Sequence, residues 1–193
     1  GKNLVKVKLQ NMESIKMVLY QSAPISRGEI AERLELTPPT ITNMVLELMR
    51  EGVVEELKGD NRKQLGQGAG RKPINIDLIA DSRLSLGISL GRDLTHYCIT
   101  NLRGRVHVMG HVDVFSDDYE TMLGEFQELL KMLKSSYPAE WEKLLGVGIS
   151  VPCIVDSENG ILKTLATERV NWYGKPLADE VSKMANLPTV LDN

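Results

Sequence analysis

The sequence predicts an α/β chain in two parts, a helix-rich module over residues 1–80 and a sheet-and-helix layer over residues 81–193. Three patterns carry this expectation. From Pro24 to Leu57 a short helix, a tight turn, a longer helix and a strand follow one another. Beyond Ala80 the apolar spacing changes from helical to alternating, and strand patterns run to Phe115. From Tyr119 onward helices and strands alternate.

Residues 1–22 open Lys-rich and continue into an amphipathic helix with Met12, Ile15, Val18 and Leu19 on one face. The alternative for Leu4–Met12 is an independent dimerisation helix. Ser26 with Glu29 three residues on is a capping box for the next helix, whose apolar stripe is Ile30, Ala31 and Leu34. Glu35 and Leu36 turn the chain, and Thr37 caps the following helix. Pro38 and Pro39 fit its first turn, where no intrahelical N–H is required. Ile41, Met44, Val45 and Leu48 recur at i, i+3, i+4 and i+7, so Thr40, Thr42, Asn43 and Glu47 lie elsewhere on the helix surface. Small polar groups at a helix start suit a DNA major groove.

Helix pairs of this kind occur in any helical protein, and the sequel narrows the choice. Gly52 stops the helix, Val53–Leu57 reads as a strand, and a Gly-rich polar segment precedes a second strand-like run at Ile74–Ile79. That is the order of a winged helix-turn-helix. The wing holds Lys58, Arg62, Lys63, Arg71 and Lys72, with Gly66, Gly68 and Gly70 leaving room to follow phosphates or a minor groove. A solvated basic loop is the competing reading.

In the second part, Leu84–Leu90, His96–Thr100 and Arg105–Phe115 read as three antiparallel strands, with a hairpin turn at Asn101–Gly104. Val106, Val108, Val112 and Val114 are expected on one face of the third strand, and His107 and His111 on its polar face without metal partners. Tyr119–Ser135 is a helix with Tyr119, Met122, Leu123, Phe126, Leu129, Leu130 and Leu133 in one stripe. Leu144–Val151 reads as a central strand covered on both faces, Asp156–Gly160 as a turn, Lys175–Ala185 as a helix entered through Pro176, and Leu187–Leu191 as a strand. This order matches one lobe of a ribonuclease-H-like (actin-like ATPase) fold, with the chain ending before a second lobe.

The net charge of −3 conceals an asymmetry. Residues 1–80 carry 12 Lys and Arg against 10 Asp and Glu, and residues 81–193 carry 11 against 16. The basic excess falls on the module with the wing. Cys98 and Cys153 are isolated, no apolar run is long enough for a signal peptide or membrane span, and a cytoplasmic location is expected.

Seven motifs in fixed order resemble the ROK family of repressors and sugar kinases, in particular its transcription-factor branch, which includes xylose and N-acetylglucosamine repressors. They are A-P-I-S-R-G-E at Ala23–Glu29, L-T-P-P-T-I-T-N-M-V at Leu36–Val45, E-G-V-V at Glu51–Val54, G-R-K-P at Gly70–Pro73, G-I-S-L-G-R at Gly87–Arg92, G-V-G-I-S-V-P at Gly146–Pro152 and N-W-x-x-x-P-L at Asn171–Leu177. The resemblance implies a sugar-responsive repressor, a homodimer or higher oligomer on double-stranded operator DNA, without a cofactor. It places Thr37, Thr40, Thr42 and Asn43 at the major groove and Arg71 with Lys72 near the minor groove. Arg27, Lys58 and Lys63 would contact phosphates.

The family's kinase branch has D-x-G-G-T at its first strand turn, where this sequence has Ser89, Gly91, Arg92 and Asp93 at the corresponding conserved positions. A side chain at the second Gly and a carboxylate in place of the hydroxyl both oppose ATP. The catalytic Asp of the kinase N-D pair would follow Asn193, and the family's zinc motif and second lobe lie beyond it, so no catalytic or metal residue is expected. Sugar contacts implied by the resemblance fall on Cys153, where the family has Gly, on Asn171, and on Asn193. The alternatives are a sugar kinase with a fused DNA module, and a truncated dimerising regulator that does not sense sugar.

Overall fold

The computed structural model describes residues 2–57, 74–164 and 172–193. The chain divides into two compact units, Gly1–Ser82 and Arg83–Asn193, each with its own apolar core.

The first unit begins with α1 (Lys2–Ser22), followed by a two-residue strand β1 (Ile25–Ser26), α2 (Arg27–Leu34) and α3 (Pro38–Arg50). Strands β2 (Val54–Glu56) and β3 (Asn75–Leu78) follow. In the three-stranded sheet β3 is central, antiparallel to both β1 and β2. This is the winged helix-turn-helix order, with one strand more than the sequence pattern discloses. Ile25 lies opposite Ile76, and both are buried.

The caps form as the sequence predicts. The Glu29 N–H donates to Ser26 Oγ (3.3 Å), while the Ser26 N–H (3.0 Å) and hydroxyl (2.7 Å) donate to the Glu29 carboxylate. Those bonds to Ser26 hold the Glu29 carboxyl below its ordinary value, the side-chain bond most of all. The cap's contribution is therefore present above the unfolded value near 4.5 and is lost as pH falls through the lower folded value. Glu29→Gln is expected to narrow its stability deficit against the wild type as pH falls through that window, in urea melts at pH 7 and pH 3.

Ile41, Met44, Val45 and Leu48 of α3 are buried against Met12, Ile15 and Leu19 of α1 and Ile30 and Ala31 of α2. Each fully buried aliphatic side chain contributes about 1.5–3 kcal/mol, which stabilises helices too short to persist alone. Gly52 ends α3 at φ +69, a left-handed value that only Gly adopts without strain. The Val53 N–H returns to Leu48 O at 3.0 Å.

The second unit comprises β4 (Leu84–Leu90), β5 (Leu94–Asn101), β6 (Val106–Asp113), α4 (Tyr119–Ser136), a short α5 (Pro138–Trp141), β7 (Leu144–Ser150), the hairpin β8 (Ile154–Asp156) and β9 (Ile161–Thr164), α6 (Leu177–Ala185) and β10 (Thr189–Asp192). Five strands form one sheet in the order β10-β7-β4-β5-β6, antiparallel through β4, β5 and β6 and parallel through β4, β7 and β10. Together these are one lobe of the ribonuclease-H-like fold.

Several expectations change here. β7 is interior, but its residues alternate between buried Val147 and Ile149 and the opposite positions Gly148 and Ser150, which open onto a concavity of about 410 Å³. Its glycines made a half-buried strand resemble a doubly covered one. On β6 only Val108 is buried; Val106 and Val114 are exposed, because β6 is an edge strand and they lie at or beyond its ends. α6 starts at Leu177, with Pro176 as its N-cap residue and no side-chain cap. The β8–β9 hairpin and α5 were hidden by their short length.

Buried Thr95 of β5 is fully enclosed, and its hydroxyl has no partner among the described residues. An orphaned buried hydroxyl costs about 1–3 kcal/mol. Thr95→Val, which keeps the branched shape, is expected to raise stability by about 1 kcal/mol, measured by the urea midpoint of circular dichroism.

Candidate functional site

The candidate nucleic-acid interface is built on α3. Thr37 is the exposed N-cap; its Oγ1 accepts from the Thr40 N–H at 3.4 Å and lies 2.8 Å from Thr40 Oγ1. These bonds fix both hydroxyls at the helix start. Thr40 and Thr42 are half-buried and Asn43 is exposed.

Opposite the buried stripe runs a second line, Pro39, Asn43, Leu46 and Arg50, spaced at i, i+4, i+7 and i+11. All four are exposed. Leu46 and Arg50 are absent from the sequence-based site, although the same spacing that picked out the buried stripe selects them. Glu47, flanking this line, is held by Lys8 of α1, Nζ to Oε2 2.8 Å. That contact removes a carboxylate from the approach of a polyanion.

Arg27, expected as a phosphate contact, is engaged within its own unit. Its Nη1 lies 2.6 Å from Glu56 Oε1, and its Nη2 donates to Met49 Sδ at 3.8 Å. The guanidinium is turned into its own unit because Glu56, on β2, lies within its reach. Lys58, Lys63, Arg71 and Lys72 fall outside the described residues, as does Asn171.

In the second unit, β7 and β10 run parallel and the Val151 N–H donates to Asp192 O at 3.0 Å. Cys153 and Asn193 therefore leave the sheet at the same end. Cys153 is half-buried and packs against the core. Asn193 is exposed, its N–H bound to Asp192 Oδ1 at 3.0 Å. The turn at Gly91, which the resemblance sets against the kinase phosphate loop, is a tight hairpin: the Gly91 N–H donates to Leu94 O at 3.1 Å, and a Cβ at Gly91 would meet that oxygen at 2.4 Å. Arg92 and Asp93 are exposed at its tip. Among the described residues, no three His, Cys, Asp or Glu side chains are placed to hold a metal ion, and no helix is long and apolar enough to cross a membrane.

Comparison with known proteins follows the two units. Residues 17–64 match the model of the MarR family, and residues 85–193 match that of the ROK family. The xylose repressor of Caldicellulosiruptor bescii is 31% identical over 170 residues, 88% of this chain and 41% of the relative. The xylose repressor of Bacillus subtilis is 25% identical over 97% of this chain and 47% of its own length. The DNA-binding transcriptional dual regulator NagC of Escherichia coli K12 is 25% identical over 88% and 41%. The chain thus spans about half the length of the curated relatives it matches. A crystal structure of a ROK family transcriptional regulator, a homologue of the E. coli MLC protein, superposes with a TM-score of 0.79 at 24% identity, covering 97% of this chain and 46% of that one. With the family match extending over more than half of its residues, the chain belongs to the ROK family.

Proposed function

We propose that this chain carries the DNA-binding part of a transcriptional repressor of sugar-utilisation genes, with residues 1–80 reading the operator and residues 81–193 belonging to the sugar-responsive part. The observation that carries this is the exposed line Pro39, Asn43, Leu46 and Arg50 on α3, beginning beside the fixed hydroxyls of Thr37 and Thr40. A helix enters a major groove by such a face: Asn43 offers an amide to adenine, Leu46 an apolar contact to a thymine methyl, and Arg50 a cation to phosphate. Lys58, Lys63, Arg71 and Lys72, which in the sequence fall between β2 and β3, supply further phosphate and minor-groove contacts. Relatives named as xylose repressors and NagC support the same function.

In this reading the protein acts in the cytoplasm as a homodimer on a palindromic operator, and a sugar near Cys153, Asn171 and Asn193 biases the DNA-bound arrangement. It does not phosphorylate the sugar. The closed Gly91 hairpin opposes a phosphate chain by shape, and the exposed Asp93 carboxylate at its tip opposes it by charge. A coupled ATPase assay with hexoses and pentoses is expected to show no turnover.

The test of DNA binding is selection from a randomised duplex library, followed by anisotropy titration of the selected duplex at several salt concentrations. A sequence-specific complex is expected, with log K falling against log salt by about 0.9 for each phosphate neutralised. Equal affinity for selected and scrambled duplexes, with no salt dependence, overturns the proposal.

A further inference from the structure

We propose that Arg27 is a clamp that fixes the stem of the wing to the helical core, a positioning residue for the DNA interface instead of a phosphate contact. This rests on the DNA-binding function proposed above.

Arg27 opens α2 directly after β1, whose Ile25 and Ser26 lie opposite Ile76 and Asn75 of the central strand β3. The other edge of β3 pairs with β2, where Glu56 also lies opposite Ile76. The Arg27 side chain thus starts beside one edge strand and ends on the other, closing its ion pair with Glu56 at 2.6 Å. Its second nitrogen reaches Met49 near the end of α3. One planar fork therefore joins α2, α3 and β2, a task that a flexible point charge such as Lys does less well.

The surroundings favour an internal role. The Arg27 side chain is 25% exposed and that of Glu56 35%. The Arg27 Nε is buried without a partner among the described residues. A DNA phosphate taking this guanidinium would leave Glu56 half-buried, unpaired and beside a polyanion, which is costly on both counts. Position in the chain supplies the consequence. One residue after Glu56, the Leu57 N–H donates to Asn75 O at 2.8 Å, and residues 58–73 with their cations connect these two strands. The clamp thus fixes, against α3, the rungs at which the chain leaves β2 and enters β3.

The test is a double-mutant cycle of Arg27→Gln and Glu56→Gln, read by anisotropy on the selected duplex over a range of salt. Each single variant is expected to weaken binding about tenfold, the double variant no more than the worse single one, and the salt slope to stay at the wild-type value. The swapped pair Arg27→Glu with Glu56→Arg is expected to recover most of the affinity. The clamp is overturned if Arg27→Gln lowers the slope by about 0.9, the loss of one phosphate contact, while Glu56→Gln leaves binding unchanged or tighter. Circular dichroism melts show which variants are folded; if Arg27→Gln is not, Glu56→Gln and the swapped pair decide. Failure of the wild type to prefer any duplex would refute the DNA-binding function itself. The clamp would then be judged by coupling between the two substitutions in urea denaturation.

Discussion

Asn43→Ala is expected to reduce affinity for the selected operator by roughly tenfold to a hundredfold, about 1–3 kcal/mol, with little change in binding to scrambled DNA. The asymmetry is what identifies a base contact. Asn43 is exposed on α3, and alanine is at least as good a helix former, so folding stability should move by less than about 0.5 kcal/mol. Arg50→Ala, about two turns further along the same face, is expected to behave differently. It should weaken selected and scrambled duplexes alike and lower the salt slope by about 0.9. Anisotropy titrations of both variants on both duplexes at four salt concentrations separate the two roles. Loss of specific and non-specific binding to the same degree in Asn43→Ala would remove it from the base-reading set.

The contrast between Asn43 and Arg27 shows what the sequence makes legible. Capping boxes, N-terminal prolines and i, i+3, i+4, i+7 stripes are local, so α2 and α3 were predictable with their caps, and the exposed side of α3 followed by exclusion. Arg27 has no such local marker. Its partner Glu56 is 29 residues away, and only the sheet order β1-β3-β2 brings the two together. The two-residue strand β1 was hidden for the same reason: two residues carry no periodicity, and Ile25 and Ser26 are recognisable as strand only through Asn75 and Ile76. In the second unit the reading of β7 as covered on both faces failed because Gly146 and Gly148 have no side chains to reveal alternation. The lobe itself was legible because its connections alternate long helices with apolar strands, and the family motifs lie along those elements.

The largest stability effect is expected at Trp172, in the N-W motif of the second unit. Its side chain is 1% exposed, its ring meets Tyr119 edge-on at 6.3 Å, and its Nε1–H donates to Asp117 O at 2.8 Å. That bond ties the segment before α6 to the turn before α4, 55 residues apart. Trp172→Ala would remove the ring, the edge contact and a hydrogen bond together, and is expected to cost about 3–5 kcal/mol. Tyr119→Phe provides the control. The Tyr119 hydroxyl is buried without a partner among the described residues, and burial, reinforced by Glu180 and then Glu120, pushes its pKa up so that the phenol stays neutral. Removing that oxygen keeps the ring stack and the Lys175 ammonium 4.8 Å from the ring centroid, and should leave stability unchanged or higher. Urea denaturation followed by circular dichroism measures both. A cost below about 1 kcal/mol for Trp172→Ala would mean that the neighbouring side chains collapse into the vacated space, and that the N-W motif is retained for something other than packing.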